Sequence, residues 1–294
     1  MKTTNLFTRF FIATVFTTII SLSVAAFSAS KAYHSDPHLL AKLEEKYNMK
    51  INSGHLALDY KHREHTERTE DQWTLNVPQK KLVLKPFSGD IAIKSTRDTK
   101  IKIIATGRID KAQNDKLLTI TETPDELTVT ELKGAIQDLE VHIEVPTTFN
   151  QEIEFDSTSG DVSIEDLNVA QAELKTISGE ITLNRFTTPR LSIETVSGDT
   201  KVRNSTITKQ ISGESVSGEI EIENNESSEA NLKSISGDIK LKMPKNNLFN
   251  FNLQSSSGDI HNKYTVDTKA NKQNVNKAKL NIQVSTTSGD IEIE

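Results

Sequence analysis

IEFDSTSGDVSI at residues 153–164 is followed by AELKTISGEITL at 172–183, LSIETVSGDTKV at 191–202, ISGESVSGEIEI at 211–222 and ANLKSISGDIKL at 230–241. Apolar residues alternate with polar ones on both sides of a Ser-Gly-Asp/Glu triplet, which is the period of a strand with one buried face. The triplet glycines Gly160, Gly179, Gly198, Gly218, Gly237 and Gly258 are 19, 19, 20, 19 and 21 residues apart. Gly89 and Gly289 sit in the same triplet further out, whereas Ser212-Gly213-Glu214 falls out of phase. A fixed period of this length is the signature of a stacked repeat.

Alignment on the glycine gives the section of the stack. Seven residues before it stand Leu82, Ile153, Ala172, Leu191, Ile211, Ala230, Phe251 and Ile282; five before it the column is again apolar, broken at Gly213. Three before it the column becomes Ser or Thr, except at Pro86, and two and four after it Ile, Val and Leu return, with Thr200 weaker and Asn262 departing. Each repeat is therefore two short strands around a narrow corner, where a β-carbon on the glycine would be penalised. The predicted fold is all-β: a single-domain β-solenoid of roughly 20-residue two-strand rungs, stacked about 4.8 Å apart. The corner hydroxyls are expected to bond to one another or to the backbone of the next rung.

The predicted divisions are 1–32, 33–72 and 73–294. Lys2 and Arg9 precede an uncharged run from Phe10 to Ala29 and small residues at Ser28, Ala29, Ser30 and Ala32, the layout of a secretory signal peptide. The competing reading is an uncleaved anchor. Residues 33–72 hold a short helix, at 37–48 from Asp36-Pro37 and the Leu39, Leu43, Tyr47 spacing, and a charged linker or edge strand. His62 and His65 lie there without further metal ligands beside them.

Within 73–294, residues 73–150 read as degenerate cap rungs and 151–294 as regular ones. Strands are expected at Lys100–Gly107, Lys116–Thr121, Leu127–Glu131 and Leu139–Val145, with a hairpin turn at Thr123-Pro124-Asp125-Glu126. His261–Lys279 inserts a polar stretch with five lysines, read as a surface loop. The last strand, Ile291–Glu294, carries outward acids that would protect an open sheet end.

With 26% charged and 35% hydrophobic residues, the chain can fill a thin core. A net charge of −6 argues against nucleic acid as a partner. The absence of Cys excludes disulfides, thiolate metal sites and a Cys nucleophile. No motif calls for a cofactor.

The most suggestive feature is the acidic column Asp90, Asp161, Glu180, Asp199, Glu219, Asp238, Asp259 and Asp290. Stacked like charges repel, so the column needs screening or pairing. One reading is a cation-binding edge using Asp161, Asp199, Asp238 and Asp259. The favoured one is that each carboxylate caps amides of its own turn or faces water, because Asp and Glu interchange and the calcium β-roll has far denser Gly and Asp. No catalytic residue is assigned: an active site breaks its repeat locally, and Arg185, Arg190 and Arg203 are scattered without evident partners.

Leu82-x-Leu84 before Ser88-Gly89-Asp90-Ile91, then Val141-x-Ile143-x-Val145-Pro146, then the recurring triplet: on these residues 73–294 resemble the bacterial putative-adhesin family of β-strand repeats, also described as the toastrack fold. The resemblance implies an envelope-associated, non-enzymatic protein linked to adhesion or envelope stress, and carries over no catalytic residue. The expected function is thus an exported protein of the periplasm, envelope or exterior. It would present a binding or scaffolding surface to an envelope protein or a glycan and touch membrane only through an uncleaved N-terminus. The alternatives are a carbohydrate-active solenoid enzyme and a periplasmic component of envelope-stress sensing.

Overall fold

The computed structural model describes residues 50–52, 55–57, 66–110, 116–132, 136–223, 227, 229–243, 249–264 and 280–294. The signal segment, the helix expected at 37–48, His62 and His65, and the lysine-rich residues 265–279 fall outside these. Two compact units divide the chain, Met1–Glu64 and His65–Glu294. In the first, β1 (Lys50–Asn52) and β2 (His55–Ala57) form an antiparallel pair.

The second unit is two long sheets face to face, and each repeat contributes one strand to each. The first sheet collects the strands before the glycine: β4 (Lys81–Phe87), β10 (Glu152–Ser157), β12 (Gln171–Thr176), β14 (Thr187–Thr195), β16 (Thr206–Ser215), β18 (Glu229–Ser234), β20 (Phe249–Ser255) and β22 (Leu280–Thr286). The second collects those after it: β5 (Asp90–Thr96), β11 (Val162–Glu165), β13 (Ile181–Asn184), β15 (Thr200–Arg203), β17 (Ile220–Ile222), β19 (Ile239–Leu241), β21 (Ile260–Asn262) and β23 (Ile291–Ile293).

Neighbouring repeats are parallel and in register. Ile153, Phe155 and Ser157 lie beside Ala172, Leu174 and Thr176, and Val162 and Ile164 beside Ile181 and Leu183. Because like sits on like, one apolar column per strand position fills the core, and its members are almost fully buried. Gly213 keeps this register between Ile193 and Leu232; its out-of-phase triplet leaves the ladder undisturbed.

The N-terminal end is closed by reversed strands. β6 (Ile101–Asp110) and β7 (Leu118–Glu122) run antiparallel to β9 (Gln137–Pro146) and β8 (Glu126–Glu131), while β8 and β9 pair in parallel with β4 and β5. The turn at Thr123–Glu126 is present, with the Thr123 amide donating to Glu126 O at 2.9 Å. β3 (Thr66–Leu75), antiparallel to β6, is the edge of the second sheet.

Three features differ from the sequence reading. The far corner is a short third wall, where Leu167, Val169, Phe186, Thr188 and Ile207 are buried and the Thr187 amide donates to Leu167 O. Asp166, Arg185 and Asn204 turn that corner with φ of 56°, 51° and 50°. Finally, the C-terminal strand is not the edge. β22 and β23 insert between β18/β19 and β20/β21, so the terminal acids do not lie on an edge strand and, among the described residues, the stack ends on β20 and β21.

Candidate functional site

At the glycine corner, two strands converge and successive rungs nearly touch. A β-carbon on Gly198 would lie 1.8 Å from Gly179 O, and one on Gly237 2.1 Å from Gly218 O. Close approach therefore dominates over backbone conformation; of the corner glycines only Gly160 and Gly179, at φ 93° and 127°, occupy the left-handed region. The column runs Gly89, Gly160, Gly179, Gly198, Gly218, Gly237, Gly289, Gly258 in space, following the inserted last repeat. It stops at Gly89, which meets the backbone and side chain of Leu139 in β9.

The hydroxyl three residues before the glycine mostly serves its own turn. Thr195, Ser215 and Ser234 accept the amides of Gly198, Gly218 and Gly237 at 2.9, 2.8 and 2.7 Å. Bonds to the neighbouring rung also form, as from Ser157 Oγ to Phe87 O at 3.0 Å. The triplet serine bonds outward along the stack: Ser197 Oγ donates to Ile177 O and Ser217 Oγ to Val196 O.

Most of the acidic column is paired, though to the next rung and not to its own turn, and the outermost member, Asp259, takes part through its amide. Asp90 Oδ1 accepts the Asp161 amide at 2.9 Å, Asp161 that of Glu180 at 2.8 Å, Asp199 that of Glu219 at 2.9 Å, Asp238 that of Asp290 at 2.8 Å, and Asp290 that of Asp259 at 2.8 Å. The two glutamates reach further, to lysines: Lys201 lies 2.5 Å from Glu180 and Lys240 2.7 Å from Glu219. The Lys201 ammonium and then the Thr182 hydroxyl, both bonded to it, hold the Glu180 carboxyl below its ordinary range. Among the described residues no group of three or more His, Cys, Asp or Glu is placed to hold a metal. Asp161, Asp199, Asp238 and Asp259 are links of a ladder and do not converge. A shallow depression of about 350 Å³ on the second sheet, lined by Asp90, Glu140, His142, Asp161, Glu180 and Thr182, runs along this ladder.

Two of the arginines do have partners. Arg185 binds Asp166 through Nε and Nη2, and Arg203 Nη2 lies 2.7 Å from Glu221. These ion pairs join adjacent rungs and enclose no cavity.

What the sequence reading missed stands two residues before the glycine. Ile177, Val196, Val216 and Ile235 follow one another on consecutive rungs, since the Val196 amide donates to Thr176 O, the Ser217 amide to Val196 O and the Ile235 amide to Ser215 O. Ile177 is 42% and Ile235 38% exposed, with both valines partly so. At about 4.8 Å per rung the four make an aliphatic ridge about 15 Å long. Thr158 and Thr287 end it; Lys175, Glu194, Glu214 and Lys233 border it on one flank and the triplet serines on the other. The signal was available as four β-branched aliphatics in a column that the strand period places outside.

Residues 95–294, 200 of 294, match the family described as Toastrack DUF4097. Among solved structures the chain is similar to a putative adhesin from Bacteroides fragilis NCTC 9343, at 11% identity and a TM-score of 0.47 over 78% of this chain and 97% of that one. It is also similar to a putative cell adhesion protein from Clostridium sporogenes ATCC 15579 (14%, TM-score 0.33, 77% and 99%). A third is a putative lipid binding protein from Parabacteroides distasonis ATCC 8503 (15%, 0.41, 76% and 96%). A search of the curated proteins gives no match.

Proposed function

This chain belongs to the Toastrack DUF4097 family, and from that premise we propose that it is a non-enzymatic, exported cell-envelope protein that works as an adhesin-like binding surface. The observation that carries the reading is the ridge of Ile177, Val196, Val216 and Ile235. Elsewhere along these rungs many of the surface charges pair rung to rung, as Lys201 with Glu180, Arg203 with Glu221 and Lys240 with Glu219. An aliphatic ridge gains nothing from solvent, and an exposed apolar strip rimmed by polar side chains is what a partner would cover. The rigid stack holds it straight and presents it without ordering cost on binding. Export is supported by the N-terminal layout of Lys2, Arg9 and the uncharged run that follows.

The test is retention of envelope proteins and glycans on the immobilised chain, compared with Ile177→Glu/Ile235→Glu. Both side chains stand outside the core, so the double variant should keep its melting temperature and lose the retained component. Equal retention by both forms would refute the role of the ridge. Release of oligosaccharides from a polysaccharide panel would place the protein among the carbohydrate-active enzymes instead.

A further inference from the structure

The two ends of the stack are built differently. At the N-terminal end the second sheet finishes on β3, studded with Glu67, Arg68, Glu70 and Asp71, and the first on β7, which ends at Glu122. Charges on an edge strand oppose pairing with another chain. At the other end the outermost strands are β20, Phe249-Asn250-Phe251-Asn252-Leu253-Gln254-Ser255, and β21, Ile260-His261-Asn262. Neither contains an acid, a lysine or an arginine, and among the described residues nothing pairs with their outer edges.

Among the described residues nothing covers the apolar columns where they reach this end. Ile282 and Ile291, one rung in, are 1% and 0% exposed; Phe249, Phe251 and Leu253 in β20 are only partly buried, and Ile260 is 42% exposed. Tyr264 packs on the two phenylalanines, with ring centroids 5.2 and 5.9 Å away, and its hydroxyl donates to Met243 O at 2.8 Å. The terminal rung is thus held in the ladder geometry while, among the described residues, nothing packs on the outer side of its apolar residues.

We infer that this end joins a second copy of the chain, β20 against β20 in antiparallel register about Phe251. An isologous contact requires a surface that complements itself under a two-fold rotation, and β20 does. Turned about Phe251, it sets Phe251 opposite Phe251 of the second copy, Phe249 opposite Leu253 and Asn250 opposite Asn252. Apolar faces apolar, amide faces amide, and no like charges meet. The first sheet then continues across the junction and the β20 edge amides and carbonyls gain partners. The contact is end to end, so it leaves the corner ridge of each copy free and doubles the rungs in one particle.

The test uses the full chain, by light scattering on size exclusion over a range of concentrations. The wild type should be dimeric at micromolar concentration. Asn250→Lys/Asn252→Lys places lysine opposite lysine at both outward positions and should give monomers with unchanged circular dichroism. Asn250→Glu/Asn252→Lys places glutamate opposite lysine twice and should restore the dimer. Because the chain has no native cysteine, Phe251→Cys gives a clean second readout. Directly opposed residues of an antiparallel pair are about 4.5–5.5 Å apart at Cα, within disulfide reach. It should cross-link on mild oxidation, whereas Ser192→Cys, on the outward face of β14 in mid-stack, should not. A wild-type monomer at all concentrations would overturn the inference, as would equal masses for the two charge variants or equal cross-linking at 251 and 192.

Discussion

Replacing Gly198 with alanine tests whether the corner glycines exist for contact or for conformation. Gly198 is not in the left-handed region, so on conformational grounds alone alanine would be tolerated and would gain about 0.4–1 kcal/mol by restricting the unfolded chain. On contact grounds the added methyl lies 1.8 Å from Gly179 O, against an ordinary separation of 3.4 Å or more. Both partners are backbone, so relief requires the rungs to part by about 1.5 Å. That shift would take the bonds from the Val196 amide to Thr176 O (3.3 Å), the Ser197 amide to Ile177 O (3.0 Å) and the Ile181 amide to Asp199 O (2.8 Å) beyond bonding distance. At about 0.5–1.5 kcal/mol net for each bond, the three together give a loss of about 3 kcal/mol. Gly213→Ala is the internal control: it is buried one rung away, but its nearest neighbour is the Leu232 Cδ2 methyl at 3.0 Å, the free end of a flexible side chain. That variant should stay within about 1 kcal/mol of wild type. Urea unfolding followed by far-ultraviolet circular dichroism measures both, and equal midpoints for the two alanine variants would refute the contact account.

Thr200 occupies a column otherwise filled by Ile and Val, and its buried hydroxyl has no hydrogen-bond partner. Thr200→Val should raise stability by about 1 kcal/mol in the same urea assay. Two acids should give opposite pH signatures. Burial, opposed by Lys175 and reinforced by Glu214, Glu173 and Asp156, raises the Glu194 carboxyl above its ordinary 4.5. Its charge therefore costs stability at neutral pH, and that cost is relieved as pH falls through the raised value. Glu180 is held below 4.5, so it stabilises above the ordinary value and that contribution disappears as pH falls through the lowered one. Glu194→Gln should stabilise and Glu180→Gln destabilise at pH 7, each by less than about 1 kcal/mol because both groups are partly hydrated. The two differences should shrink below about pH 4 in thermal melts.

The repeat was legible because a parallel, in-register stack puts each position in the same surroundings every rung. Selection then writes the same residue class into every copy, as at Leu174, Ile193 and Leu232. The third wall was hidden by the same logic failing: Leu167, Val169 and Phe186 lie where rung lengths of 19–21 residues are absorbed, so a glycine-based alignment loses phase there. The swapped order at the C-terminus was easily missed, since the Ser257 and Ser288 triplets are chemically alike and either could stack on Gly237. Its one trace is Asn262, a polar residue in a column that Ile293 keeps apolar on the inner rung. In the cap the β8–β9 rung runs parallel to β4–β5 but sets Leu139 against Gly89, so the glycine column ends before the reversed strands β6 and β7 are reached.

The acidic column misled because a carboxylate's partner was sought within its own turn or in a cation. The stacked geometry offers a nearer one. Asp has one methylene, and from the corner it spans a single rung to the next backbone amide, as Asp161 does to Glu180. Glu has two, overshoots that amide, and reaches the outward position two residues further on, where Lys201 and Lys240 stand opposite Glu180 and Glu219. After the aspartates the corresponding residues are Ser163, Thr182, Glu221, Glu292 and His261, none of them lysine. The choice between Asp and Glu is therefore coupled to a residue about 21 positions away, a correlation expected of a load shared between rungs. Each corner acid inside the stack thus stabilises the rung beside it, and the surfaces not committed to that charge pairing are the aliphatic ridge and the uncharged terminal rung.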